Sequence, residues 1–393
     1  WPRPIRQVKT AVVGLIGTAP MGPINTPTIV LSERDAAQFG QVSEASGFTI
    51  PQALDAIFDQ GAGTVIVINV FDPARHTVTN ESGKSPVTAA DIIGAVDAAG
   101  NRTGIKAIDD AYNRFGFNAK LLIAPVFGTL TSVSTELIAM AHKLRAMAII
   151  DAPIGLTVQQ VVEGRGPAGS INFNTSSERA ILCYPHLAVY DAATDSERLE
   201  PMSQRLAGVI CRKDMENGYW WSPSNTEIMG ITGTERPITA RINDPQSEAN
   251  LLNENGIVTV FNSFGTGLRA WGNRSAAWPS MTHPRNFINV RRTADVLHES
   301  VEYSMLQFID YPIDNGLIDA IKESVNAFMR TLIARGALID GECTYVPAKN
   351  PSTEIALGHL TFDITFMPPT PAERITFESF IDINLLRGLG SQQ

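Results

Sequence analysis

Four places in this chain carry residue types that could do chemistry. Asp151 follows the apolar run Ala146–Ile150, and the carboxyl end of a parallel strand is where α/β enzymes place working residues. A carboxylate there could serve as a general base; with Pro153 and Gly155 just beyond, it could equally cap backbone donors of a turn. Gly164-Arg165-Gly166-Pro167-Ala168-Gly169 meets the G-x-G-x-x-G spacing that cradles a dinucleotide pyrophosphate. Its context fails: a helical stretch precedes it instead of a buried strand, and Pro167 sits inside it, so a plain turn fits better. Tyr219-Trp220-Trp221 could stack on a sugar or a base, or could pack their loop onto a sheet. The six histidines, His76, His142, His186, His283, His298 and His359, are scattered, with none at ligand spacing from another. The sequence contains no G-x-x-x-x-G-K-[ST], H-E-x-x-H or G-x-S-x-G motif.

Composition narrows the class further. A net charge of −9 argues against a broad nucleic-acid surface, which would be basic. No run approaches 18 apolar residues, so no spanning helix is expected, and no secretory signal opens the chain. Cys183, Cys211 and Cys343 lie far apart and read as buried thiols in a reducing compartment. The first residue is Trp1 and not Met, so further residues are expected upstream.

The elements that must position these residues alternate. Strands are expected at Ala11–Gly17, Thr28–Leu31, Thr64–Val70, Leu121–Val126, Ala146–Ile150, Ala180–Tyr190, Ile257–Phe261 and Leu268–Trp271. Helices are expected from Ser32 and at Pro51–Gln60, Ile105–Phe115, Ser132–Arg145, Thr157–Glu163 and Pro201–Glu216. Two more follow at Thr293–Tyr311 and Leu317–Arg335, the second capped by Asn315 and stopped by Gly336. Continuous β-branched runs such as Thr64–Val70 mark strands buried on both faces, so the series predicts an α/β fold with a mostly parallel sheet and helices on both sides. The division is a linker arm and first strand at 1–17, an α/β core at 18–71 and 105–280, and a polar surface insertion at 72–104 with a small helix at Thr88–Ala98. An α+β domain at 281–367 and an arm at 368–393 complete it. Trp1–Thr10 reads as an extended segment without a core.

The carboxyl end is organised differently. In Leu357–Met367, Leu360, Phe362, Ile364 and Phe366 alternate with polar residues; in Arg374–Leu386, Ile375, Phe377, Ile381, Ile383 and Leu385 do so. Pro368, Pro369 and Pro371 separate them, a stiff joint unsuited to a tight hairpin. A free one-faced strand is stable only on another sheet edge, so Arg374–Leu386 is expected to be donated to another copy of the chain. The first four apolar residues could belong to the shared sheet or to the core of their own subunit.

Several blocks resemble the sheath protein of contractile phage tails and R-type pyocins. They are Trp221-Ser222-Pro223-Ser224-Asn225 with Gly233-Thr234-Glu235-Arg236-Pro237, Leu251 to Gly256, Trp271-Gly272-Asn273-Arg274, Asn289-Val290-Arg291-Arg292-Thr293, and the closing Pro368-Pro369 block. The resemblance implies a subtilisin-like core without its triad, since Gly233-Thr234 is followed by Glu235 and not by Ser. It implies terminal arms that complete a shared sheet between subunits, although Trp1–Thr10 is similar only to the linker after the N-terminal strand. It implies a helical sheath in a virion tail, assembled in the bacterial cytoplasm, that shortens to drive a tail tube through an envelope. Its partners would be other copies, the tube protein, the baseplate and a tail terminator; no cofactor, nucleic acid or membrane insertion is implied. The inner, C-terminal domain would face the tube, where Lys322, Arg330 and Arg335 are candidate contacts, though a solvated basic face would look the same.

Two rival functions are an α/β hydrolase, which would need a clustered nucleophile and base, and the sheath of a bacterial injection system. A chain ending at Pro371 is expected to fold as a monomer and to form no tubes in negative-stain images; normal tubes from it would refute strand donation.

Overall fold

Strand β1 (Val12–Gly17) is apolar throughout because both its faces are covered: Val12 and Ile16 enter one core, Val13 and Leu15 the other. The computed structural model describes residues 2–61, 63–263 and 265–389, so the expectations for Trp1 and for 390–393 of the arm lie outside the described residues. The remaining strands are β2 (Thr28–Val30), β3 (Thr64–Asn69), β4 (Leu121–Ile123), β5 (Met147–Asp151), β6 (Ala180–Cys183), β7 (Leu187–Asp191) and β8 (Ser196–Glu200). After them come β9 (Thr226–Glu227), β10 (Gly233–Thr234), β11 (Ile257–Ser263), β12 (Gly267–Trp271), β13 (Asp340–Tyr345) and β14 (Phe362–Met367). Nine form one sheet in the order β2-β3-β1-β4-β5-β6-β11-β12-β9. The six from β3 to β11 run parallel, while β2, β12 and β9 pair antiparallel at the edges.

Helices cover both faces, as the alternation predicts. Thr131–Leu144 buries Val133, Leu137, Met140, Ala141 and Leu144 on one side, at helical spacing. Ile50–Asp59 and Met202–Glu216 cover the other through Leu54, Ile57, Leu206 and Ile210. A third core joins the helices Ile288–Met305 and Asn315–Arg335 to the β13–β14 hairpin through Val296, Leu297, Val325, Phe328 and Leu332.

Several local expectations are corrected. Ala180–Tyr190 is not one strand; the chain breaks at Tyr184-Pro185, and β7 leaves the main sheet to pair with β8 and β10. The helix expected at Thr88–Ala98 stops at Ile93, because Gly94 adopts φ 77° and cannot continue it. Gly104–Asp110 is a 3₁₀ segment before the short helix Ala111–Phe115. The helix placed at Thr293–Tyr311 spans Ile288–Met305, and Asp314, not Asn315, caps the last long helix through its bond from Leu317 N. Gly336 does end that helix, at φ 88°. The polar insertion is mostly exposed, yet Ile92 is fully buried in the first core. The opening segment has no regular secondary structure, but it is not without a core. Arg3, Arg6 and Val8 donate backbone N–H bonds to Gln307, Ser304 and Ser300, and Ile5 and Val8 pack on the third core.

Helix Ile288–Met305 joins the two halves. Arg291, Asp295, Glu299 and Glu302 recur at spacings of four, four and three, so they form one stripe. That stripe faces the amino ends of the parallel strands. Lys120, just before β4, pairs with Glu299; Arg179, just before β6, pairs with Asp295 through two bonds, one of 2.9 Å. Arg145, before β5, holds Glu302 through two bonds of 2.5 Å, and this contact lowers the Glu302 pKa. On the neighbouring helix face, Arg292 meets Asp214 at 2.7 and 2.6 Å, both side chains buried. Removing one partner of such a pair strands a buried charge, so Arg292→Met is expected to lower unfolding free energy by about 3–5 kcal/mol in urea titrations. Adding Asp214→Leu should restore most of the loss; a single substitution without effect would show that this pair contributes nothing.

Candidate functional site

Asp151 and Arg165, which tempt a catalytic reading, are both engaged in holding backbone. Asp151 lies buried at the end of β5 and accepts the N–H of Ser203 at 2.8 Å, so it caps helix Met202–Glu216 from a distant strand. Burial raises its pKa, opposed by nearby His186 and by the bonds from Ser203 and Met202. Arg165, inside the glycine-rich turn, points inward. Its guanidinium donates to the carbonyls of Asn255, Phe173, Ala276 and Trp278 at 2.7–2.9 Å and to that of Thr175. A turn built this way clamps three loops and offers nothing to a phosphate. Burial brings its pKa down to about 10. Among the described residues, no group of three or more His, Cys, Asp or Glu could hold a metal ion. The three cysteines are free and buried.

The aromatic run divides its roles. Tyr219 is buried in the third core, edge-on to Trp220 at 5.1 Å, while Trp221 is half exposed. Around it the blocks that carried the sequence resemblance meet, except Gly233–Pro237, which pairs with β7. Ser224 Oγ accepts the Gly272 N–H at 2.9 Å, and Asn273 Nδ2 donates to Asn289 Oδ1 at 2.8 Å. Asn289 Nδ2 in turn donates to the carbonyls of Trp220 at 2.9 Å and Pro369 at 3.0 Å. Arg274 lies over Trp278, 3.5 Å from the ring centroid, and binds Glu373 with its closest contact at 2.5 Å. Residues separated by scores of positions thus fix one feature, the point where the chain leaves the body.

Beyond that point the chain is bare. Pro368 is buried, Pro369 and Pro371 are half-buried, and the stretch from Pro369 to Glu373 is pinned by Asn289 and Arg274. From Arg374 to Leu389 no strand forms and none of the alternating residues finds cover. Phe377 is 89% exposed, Phe380 85% and Ile381 fully so, with Ile375, Ile383 and Leu385 close behind. Where that strand was expected, 374–382 has no regular structure and is followed by a 3₁₀ turn at Ile383–Gly388. Its predecessor is shorter than expected, since Leu357–Thr361 is turn and coil and β14 begins at Phe362. Leu360 is half-buried, and Phe362, Ile364 and Phe366 pack on the third core of their own subunit. β13 and β14 form a two-stranded sheet, so each keeps one edge without a partner among the described residues.

The three basic residues expected together are separated. At 100° per residue Arg330 lies roughly 80° around the helix from Lys322, and Arg335 roughly 220°. Lys322 pairs with Asp319 at 3.1 Å and Arg330 with Glu323, whereas Arg335 borders the groove beside Trp220 and Pro369. Sequence reasoning missed Arg274, Asn289 and Glu373 as the holders of the arm's root. The signal was present, since Arg274 and Asn289 stand in two of the quoted blocks.

A folded body with a bare apolar arm is the build of a structural subunit that joins other chains. The family profile for the phage tail sheath protein central domain matches residues 100–276, and that for the phage tail sheath C-terminal domain matches residues 281–382. The tail sheath protein of Burkholderia phage BcepMu is 51% identical over 96% of this chain and 94% of its own length. That of Escherichia phage P2 is 28% identical over 98% and 94%. The helical sheath of the anti-feeding prophage, solved in its contracted state, shares the fold with a TM-score of 0.70 at 19% identity, covering 97% of this chain and 96% of that one. The chain belongs to the phage tail sheath family.

The Arg274–Glu373 pair is partly exposed, and such pairs contribute about 0–1 kcal/mol. Glu373→Ala is therefore expected to speed tryptic cleavage after Arg374 by roughly two- to fivefold, with the melting temperature unchanged. An unaltered cleavage rate would show that the root is held by Asn289 and the prolines alone.

Proposed function

We propose that this chain polymerises through its carboxyl-terminal arm into the helical contractile sheath of a virion tail, built around a tube and joined to a baseplate and terminator. One observation carries the reading: a fully folded body ends in an arm whose large apolar residues have no cover in their own subunit. The arm's Ile375, Phe377, Ile381 and Ile383 add a strand to an open edge of β13 or β14 in another copy, extending the surface formed by Phe362, Ile364 and Phe366. Leu360 lies at the start of the same surface. Burial of the four arm residues contributes about 1.5–3 kcal/mol each, and main-chain bonds about 1 kcal/mol each. Ordering the arm costs about 1–2 kcal/mol per residue, so one link is only modestly favourable. Many links acting together hold the sheath, and each can survive while bodies rotate about the Pro368–Pro371 joint.

The reading assigns no catalytic step and no cofactor, in keeping with Asp151 and Arg165 serving as structural clamps. Contraction then draws on the difference in contact energy between two packings of the same subunit, summed over the tail. The tube-facing surface includes Lys322 and Arg330 on the outer side of helix Asn315–Arg335. Subunits assemble in the host cytoplasm before the tail is complete. A sheath in an injection system would use the same contacts; the 51% identity to a phage sheath protein favours the virion.

Hydrogen exchange tests this directly. Amides of residues 374–382 should exchange at unstructured rates in the monomer and slow by about a hundredfold or more in assembled sheaths. Equal rates in the two states would sink strand donation.

A further inference from the structure

One residue of the arm breaks its own pattern. Phe380 sits on the face shared by Thr376, Glu378, Asp382 and Asn384, opposite Ile375, Phe377 and Ile381. Adding the arm to a sheet through its apolar face leaves this ring, flanked by two carboxylates, with nothing to meet. The body of the subunit holds a site of matching chemistry. A groove of about 840 Å³ opens beside the arm's root, walled by Trp220, Trp221, Trp271 and Trp278, four of the chain's five tryptophans. Lys213 and Arg335 stand at its edges. Among the described residues neither makes an ion pair: Lys213 lies over the Trp221 ring at 5.2 Å, and Arg335 reaches the amide oxygen of Gln7 at 3.5 Å. The groove's other charges are Arg274, which lies over Trp278 and pairs with Glu373, and Glu254, so the part beside half-exposed Trp221, Lys213 and Arg335 is the part whose chemistry suits an acidic, aromatic occupant.

We propose that this groove receives the Glu378–Phe380–Asp382 face of another copy's arm. Phe380 inserts among the indoles, and the two carboxylates, roughly 13 Å apart on an extended strand, meet Lys213 and Arg335. The inference rests on the arm donation proposed above and names where the second face of the donated strand goes. The groove adjoins the end of β14 through Pro369 and the end of the helix beneath it through Gly336, so it continues the sheet edge that takes the first face. The subunit's own arm does not fill the groove, since its Phe380 stands in solvent.

The test uses full-length chains assembled into sheaths from an equal mixture of ¹⁵N-labelled and unlabelled protein, carrying p-benzoylphenylalanine in place of Phe380. Irradiation and mass spectrometry should give mixed-isotope cross-links from position 380 to the peptides holding Trp220–Trp221 or Trp271–Trp278. Mixed-isotope links confined to residues 340–367 would overturn the groove and leave donation intact. Links within single-isotope chains only would overturn both. A charge exchange gives an independent reading. Lys213→Glu with Arg335→Glu should cut the assembled fraction about tenfold at low salt while melting stays cooperative, and adding Glu378→Lys with Asp382→Lys should recover most of it. Loss without recovery would refute the pairing of these charges.

Discussion

Asp295, Glu299 and Glu302 lie on one face of helix Ile288–Met305, and each meets a cation standing at the amino end of a parallel strand. Two of these pairs, together with Arg292 and Asp214, are buried, so dissolved salt screens them little. The arrangement joins the sheet to the β13–β14 domain through contacts that tolerate few alternatives in angle or length. The opening segment runs along the same helix, which Arg292 extends by donating to the carbonyl of Thr10. Everything the arm needs, a fixed root and a fixed direction, is referred back to this joint through Asn289 at the start of the helix.

At the opposite end of the sheet, where α/β enzymes keep their reactive groups, two polar side chains at strand ends hold backbone. Asn69, closing β3, accepts from Ala19 and Phe71, and Asp151, closing β5, holds a helix start. The polar residues that a motif search selects are there because loops at strand ends leave backbone donors and acceptors that burial would otherwise orphan. The same fold therefore presents residues of a catalytic type in positions that do structural work.

The sheet and its helices were legible because burial on two faces writes continuous apolar runs, and Val12–Gly17, Thr64–Asn69 and Met147–Asp151 show them plainly. The short strands β8, β9, β10 and β13 were not. Ser196–Glu200 and Asp340–Tyr345 lie near the surface, and nothing in their composition separates them from loop. Alternation located the arm but could not say that it stays bare, since period two reports a face to be covered without saying what covers it. Helix periodicity found Asn315–Arg335 yet grouped Arg335 with Lys322, because charge alone carries no angle. The root contacts of Arg274, Asn289 and Glu373 span almost a hundred positions, and single-sequence patterns do not reach so far.

Pinning the chain at Glu373 also sets a length. From Arg374 to Leu389 a fully extended backbone spans roughly 50 Å, and a compact chain of this size has a radius of gyration of about 21 Å. The tether is thus about one subunit diameter long. Donated as proposed, an arm of this span reaches an adjoining body, so the lattice it would knit is a net of nearest neighbours.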